Sequence, residues 1–335
     1  MIPGNATAVI RTGKPSPASR SARWALVLLA ALLSSCAPGY RLVTAGPEQT
    51  VRDETFSYRK WQRSGVEPDV VVVALHGFSG ASIDYENLAQ HLAKHQPRTA
   101  VYAYEVRGQG RDPKPERRGD IDDPANWSND LLAFTKLVQK KHPRAKVVWF
   151  GESMGSLILA KTYRDIVGSG QKPPCDALAL SSPVVKLRDD FPTWKKELVR
   201  SLSKVAPGAR ISLDALSGGT DVQMTEDSYH SEQSETNSWN LETNTLRLLV
   251  ALGDMIEEMP ENAESFRQPT LVLHGGKDFF TTGDDVKSFV AHVPEDTPLT
   301  RRYYPEAHHL LMYDTGKDEV IADIARWLDS LRSDS

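Results

Sequence analysis

Apolar and polar positions alternate over residues 55–61, with Phe56 and Tyr58 set against Ser57 and Arg59, which predicts a strand with one buried face. The next apolar block, 70–75, is continuous, the pattern of a strand covered on both faces. A helix-period segment around Leu88 and Leu92 leads to another continuous run at 99–104. Residues 126–141 carry Leu131, Phe134 and Leu137 on one helical side and precede the run 146–150. A helix over about 157–166 and a strand over 177–180 continue the rhythm, which resumes with strands at 270–274 and 299–304 and closes on a helix over about 318–331. Strands alternating with helices predict an α/β fold built on a doubly wound, mostly parallel sheet.

The rhythm breaks between Pro183 and about Gln268. There Trp194, Leu198, Leu202 and Val205 stand at helical spacing and stop at Pro207-Gly208, residues 246–256 are apolar on more than one side, and 217–244 between them are polar. An insertion of two or three helices and a loop, over about 186–267, is expected; a separate domain with so few strands would have little core.

The first 35 residues hold Arg11, Lys14, Arg20 and Arg23, no acid, and the apolar run 24–33. Ten residues make about 15 Å of helix, short of a hydrocarbon core of roughly 30 Å, so a signal peptide is expected in place of a stable span. Leu33-Ser34-Ser35-Cys36 resembles a bacterial lipoprotein signal. The resemblance implies lipidation of Cys36 as the new N-terminus and a membrane contact through that lipid anchor, with 36–52 as a tether and 53–335 as the folded domain. Ala37 after the cysteine implies, in a bacterium with two membranes, the periplasmic side of the outer membrane.

The chain has 335 residues, 40 Lys+Arg against 44 Asp+Glu, and 2 Cys. This mildly acidic balance gives no electrostatic reason to bind nucleic acid, and two cysteines exclude a disulfide scaffold or a Cys₄ zinc site. Removing 1–35 deepens the charge to −8, and lipidation of Cys36 would leave Cys175 without a partner.

Chemistry is concentrated at strand ends. Gly151-Glu152-Ser153-Met154-Gly155 follows the strand ending at Phe150 and opens a helix, the context of a nucleophile elbow, where a tight turn lifts the Ser153 hydroxyl above the sheet. A serine nucleophile needs a base, and the base an orienting acid. In chain order, Gly275-Gly276-Lys277-Asp278 follows one late strand and Pro305-Glu306-Ala307-His308-His309 the last, so Asp278 is the expected acid and either histidine the expected base. Asp284 and Asp285 are rivals better explained as caps of the next helix. An oxyanion hole is expected from the backbone N–H groups of Met154 and of Phe78, in the loop His76-Gly77-Phe78-Ser79-Gly80, with His76 bracing that loop.

Other candidates are weaker. Arg107-Gly108-Gln109-Gly110-Arg111 lacks the Lys-Ser/Thr of a phosphate loop and reads as a tight surface turn. His91 and His95 share a helix face without the Glu or third ligand of a zinc site, so neither metal nor cofactor is expected. His142, His230 and His292 read as solvated, as do the acids of 226–242.

Together, His76-Gly77-Phe78, the elbow, Leu271-Val272-Leu273-His274-Gly275 with Asp278, and Ala307-His308-His309-Leu310 resemble the monoacylglycerol lipase and lysophospholipase group of α/β-hydrolases, which includes serine aminopeptidase-like members. The resemblance runs over about 55–331 and implies an α/β-hydrolase whose insertion is a helical cap lining an acyl pocket, acting on a lipid or small ester substrate. It also selects His309, the histidine followed by an aliphatic pair. Ser156 stands where the family has glycine, and Gln109 where its turn has histidine. Two other functions are weighed: an aminopeptidase, in which Glu226, Asp227, Glu232 or Glu235 would hold the substrate ammonium, and a non-catalytic binding lipoprotein.

Overall fold

The computed structural model describes residues 49–51, 54–187, 192–212, 223–226, 241 and 243–333. The signal peptide, Cys36 and the tether up to residue 48 lie outside the described residues, as does His230.

The first described elements are β1 (Gln49–Val51) and β2 (Glu54–Phe56), an antiparallel pair. The last residues of the expected tether are therefore strand. The main sheet takes β3 (Tyr58–Trp61), β4 (Val70–Leu75), β5 (Thr99–Tyr104), β6 (Lys146–Glu152), β7 (Ala177–Ser181), β10 (Thr270–Gly275) and β11 (Leu299–Tyr304). Its seven strands run in the order β11-β10-β7-β6-β4-β5-β3, all neighbours parallel except β3 on β5.

Strand alternation feeds two cores. Val71, Val73 and Leu75 of β4 join one apolar cluster while Val70, Val72 and Ala74 join the other. Helices α1 (Glu86–His95) and α8 (Lys317–Ser333) cover one face through Leu88, Leu92, Ile324 and Leu328. Helices α2 (Ala125–Lys141), α3 (Met154–Gly168) and α7 (Gly283–Val290) cover the other through Phe134, Ile158 and Phe289. Burial on both sides is what makes the central strands continuous apolar runs.

The segment between β7 and β10, the cap, contains α4 (Thr193–Val205), β8 (Arg210–Ser212), β9 (Thr243–Thr245), α5 (Leu246–Glu257) and α6 (Met259–Glu264). The antiparallel β8–β9 ribbon was not expected, because three-residue strands leave no periodicity to read. The cap is tied to the body at Asp120, whose carboxylate takes the Arg247 guanidinium and the Thr245 hydroxyl (2.7 Å). Helix α5 brings Leu248, Ala251 and Met255 into the same apolar cluster as Met154 and Leu157 of α3. Ion pairs of Lys196 and Arg200 with Glu257 join α4 to α5, while the apolar stripe Trp194, Leu198, Leu202 and Val205 stays exposed.

Two readings of the sequence are corrected here. Arg59 is buried, not solvent-facing, because the Glu105 carboxylate (3.0 Å) and Ser82 receive its charge. His142 is buried between the Tyr102 hydroxyl (2.8 Å) and Glu67 (2.9 Å). His292 is exposed, its Nδ1 3.0 Å from the Ser288 carbonyl. Among the described residues no helix is long and apolar enough to cross a membrane.

Candidate active site

The elbow is built by steric exclusion. A Cβ on Gly151 would lie 2.3 Å from the Gly155 carbonyl carbon, and one on Gly155 would lie 2.1 Å from the Leu75 oxygen. With neither Cβ present, α3 starts directly against β4. Ser153 sits on the turn with φ 50° and ψ −114°, a conformation that costs energy and persists because strand and helix over-determine it. Its N–H donates to the Ser181 carbonyl at 2.9 Å, fixing the turn to β7. Ser156, the departure from the family pattern, donates its hydroxyl to the Gly151 carbonyl at 2.8 Å and so ties the helix to the strand.

The loop after β4 passes beside the serine: a Cβ on Gly77 would be 3.3 Å from Ser153 Cβ and 3.9 Å from its Oγ. His76 braces this loop. Its Nε2 accepts the Val106 N–H (3.0 Å), so Nδ1 carries the proton and donates to the Gly77 carbonyl (2.9 Å). Burial, opposed by the charge of Glu105, holds the His76 pKa below the ordinary histidine value. The N–H groups of Gly80 and Ser79 are used by the Gly77 carbonyl and the Gln109 side chain (2.9 Å). Phe78, the expected donor of the loop, is half-buried against the apolar cluster that contains Met154.

The turn 107–111 is corrected from a surface turn to a largely buried one. Arg107 forks onto Asp130 with two 2.7 Å bonds, and Gly108 and Gly110 take φ of 77° and 51°. Gln109 thus carries the bracing of Ser79 at the place where the family has histidine.

Opposite, the ends of β10 and β11 bring Asp278 and His309 together, with His309 Nδ1 2.8 Å from Asp278 Oδ2. Asp278 Oδ1 accepts the Phe280 N–H at 2.8 Å. Burial pushes the Asp278 pKa up, but the His309 charge, the bond to it and the Phe280 N–H outweigh it, leaving the carboxyl below its usual range. The imidazole is buried, its Nε2 has no partner among the described residues, and the Phe280 ring stands edge-on to it at 4.8 Å. Ser182, with φ 44°, donates its hydroxyl to the His309 carbonyl at 2.6 Å. Of the rival acids, Asp285 forms a reciprocal capping box with Thr282 at the start of α7, and Asp284 lies in the first turn of that helix.

Several residues here went unread in the sequence. Glu152, beside the nucleophile, is fully buried and neither of its oxygens has a partner among the described residues; burial, then the charge of Asp84, holds its pKa well above the usual range. Asp84 is pushed up to about 7, chiefly by burial, opposed by its bond from the Ala81 N–H. His274 is buried with Nδ1 3.9 Å from Asp278 Oδ2, and burial lowers its pKa against the pull of Asp278. None carries a spacing signal, since each is defined by partners from distant segments. Among the described residues no group of three or more His, Cys, Asp or Glu side chains could hold a metal.

A strained serine between strand and helix, with strand-end acid and histidine following in that chain order on a sheet of this topology, defines an α/β-hydrolase. Residues 66–316 match the family described as serine aminopeptidase, S33, and the chain belongs to that family. It is 26% identical to a monoacylglycerol lipase of Mycolicibacterium smegmatis over 79% of this chain and 89% of that protein. It is 21% identical to a carboxylesterase of Bacillus subtilis over 78% of this chain and 94% of that one. A soluble variant of the monoglyceride lipase of Saccharomyces cerevisiae, solved with a substrate analogue, superposes with a TM-score of 0.72 at 19% identity, covering 88% of this chain and 98% of that one.

Proposed function

We propose that this chain hydrolyses carboxylic esters of lipids, of the monoacylglycerol or lysophospholipid type, through an acyl-enzyme on Ser153. The observation that carries this reading is the 2.8 Å bond between His309 and Asp278, which leaves Nε2 of a buried imidazole free to take a proton. Ser153 Oγ attacks the ester carbonyl as its proton passes to Nε2. Asp278 holds the Nδ1–H tautomer and stabilises the imidazolium. The backbone N–H groups of Met154 and Phe78 hold the oxyanion, where losing one donor typically costs about 2.7–4 kcal/mol. Collapse breaks the ester C–O bond, and the Nε2 proton leaves with the alcohol. Water then repeats the sequence on the acyl-enzyme, releasing the fatty acid and restoring Ser153.

The relatives named above favour an ester over a peptide bond. The Glu226 carboxylate, one of the groups an aminopeptidase would use, is paired with Lys277 at 3.3 Å, which weakens its claim on a substrate ammonium. Leu248, Ala251 and Met255 of α5, clustered with Met154 and Leu157, suit an acyl chain. The N-terminal signal and Cys36 complete the reading: a lipid-anchored envelope protein working beside its substrate. A panel of a monoacylglycerol, a lysophospholipid and an aminoacyl anilide tests it. Turnover of a lipid ester, abolished by Ser153→Ala, is expected; preference for the anilide overturns it.

A further inference from the structure

Residues 223–226 of the cap run along the loop that bears His309, and one carboxylate is shared between the two. On the loop side, Asp314 Oδ2 accepts the His308 N–H (2.5 Å) and lies 3.1 Å from His308 Nδ1, while Oδ1 accepts the Thr315 N–H (3.0 Å). On the cap side, Oδ1 accepts the Glu226 N–H (2.9 Å) and the Thr225 hydroxyl (3.3 Å). Next to this, the Leu310 N–H donates to the Met224 carbonyl at 3.0 Å. Asp314 is fully buried.

A turn inside one loop needs only local acceptors. What calls for a full carboxylate, with about four acceptor positions, is the simultaneous capture of donors from both segments. The residues on either side of His309 are both bound into this seam, His308 to Asp314 and Leu310 to Met224. The histidine's own carbonyl is held by Ser182. The Leu311 N–H also donates to that carbonyl at 3.0 Å, and residues 223–226 add the Leu310–Met224 bond to this set.

We infer that Asp314 is a positioning residue that couples the seating of the cap to the orientation of His309. The assignment rests on the proposed ester hydrolysis. Under it the cap does more than shelter an acyl chain: its docking is required for the chemical step itself, even on an ester too small to reach the cap.

The test uses the full chain with Asp314→Asn and Thr225→Val. Thr225→Val removes one cap-side donor and leaves the loop's own bonds to Asp314 in place, so it decides the matter even where Asp314→Asn unfolds. With 4-nitrophenyl acetate, kcat is expected to fall at little change in KM, by up to about a hundredfold for Asp314→Asn, the penalty typical of a 1 Å misplacement, and several-fold for Thr225→Val. Amide exchange is expected to rise together in residues 223–226 and 305–315, with α3 unchanged. Wild-type kcat on the small ester with only KM for long-chain esters raised, or faster exchange in one segment alone, overturns the coupling. Failure of the wild type to turn over any ester refutes the proposed function instead, and the exchange measurement then decides the coupling.

Discussion

Gly155→Ala adds one methyl group where α3 meets β4. The new Cβ would stand 2.1 Å from the Leu75 oxygen and 2.8 Å from its carbonyl carbon. That carbonyl cannot step aside, since it belongs to a central strand and accepts the Tyr85 hydroxyl at 2.7 Å. Ordinary carbon–oxygen approaches are about 3.3 Å or more, so α3 must retreat by on the order of 1 Å. Overpacking of this kind costs roughly 1–3 kcal/mol, and each kcal/mol lowers Tm by roughly 2–4 °C in a domain of about 200 residues. Activity should suffer more, because the retreating turn carries Ser153 and the Met154 N–H; a 1 Å error there costs up to about a hundredfold. Thermal melts and kcat/KM on a 4-nitrophenyl ester measure both effects. Gly168→Ala on the same helix is the control, with nothing within 4 Å of its Cβ. Wild-type kcat/KM in Gly155→Ala would refute the claim that this close approach sets the serine.

Asp278→Asn should keep the fold and KM while lowering kcat by about 10⁴, because the amide favours the wrong imidazole tautomer; steady-state kinetics on a soluble ester decide it. A carboxyl raised in the folded state holds its proton longer than in the unfolded chain, so stability falls as pH rises from the unfolded value near 4 through the folded one. For Asp84, pushed up to about 7, that window closes near neutrality; Asp84→Asn should raise Tm at pH 8 and flatten its decline between pH 4 and 7. For Asp278, held below its usual range, the sign reverses: its stabilisation is present above about pH 4 and lost as pH falls further, a loss that acid melts should find absent in Asp278→Asn. Cys36→Ser should move the protein from the membrane to the soluble fraction on cell fractionation; unchanged membrane retention removes the anchor from the account.

The sheet was legible because both faces of its central strands are covered. Val70 to Leu75 and Val147 to Phe150 are continuous apolar runs for that reason, and their flanking helices show a 3.6-residue period. Ser153, Asp278 and the pair His308-His309 could be picked out because the fold expects its chemistry at strand ends in that chain order, and only the family resemblance chose His309 from the pair. That Asp278 and His309 lie 2.8 Å apart was not in their spacing of 31 residues. The elements that escaped reading share a cause. Arg59 and His142 look solvent-facing until Glu105 and Tyr102 arrive from elsewhere in the chain. Asp314 and Ser182 look like loop polar residues until the cap and the His309 carbonyl are beside them. The β8–β9 ribbon is too short to carry a period, and Glu152 is hidden inside a motif whose variable position no pattern constrains.

The reactivity of the Ser153 hydroxyl is the most direct test. Incubation with a fluorophosphonate, digestion and mass spectrometry should find a single adduct on Ser153, lost in His309→Ala and in protein denatured beforehand. Absence of the adduct from the folded wild type, or its appearance on another residue, would contradict the account.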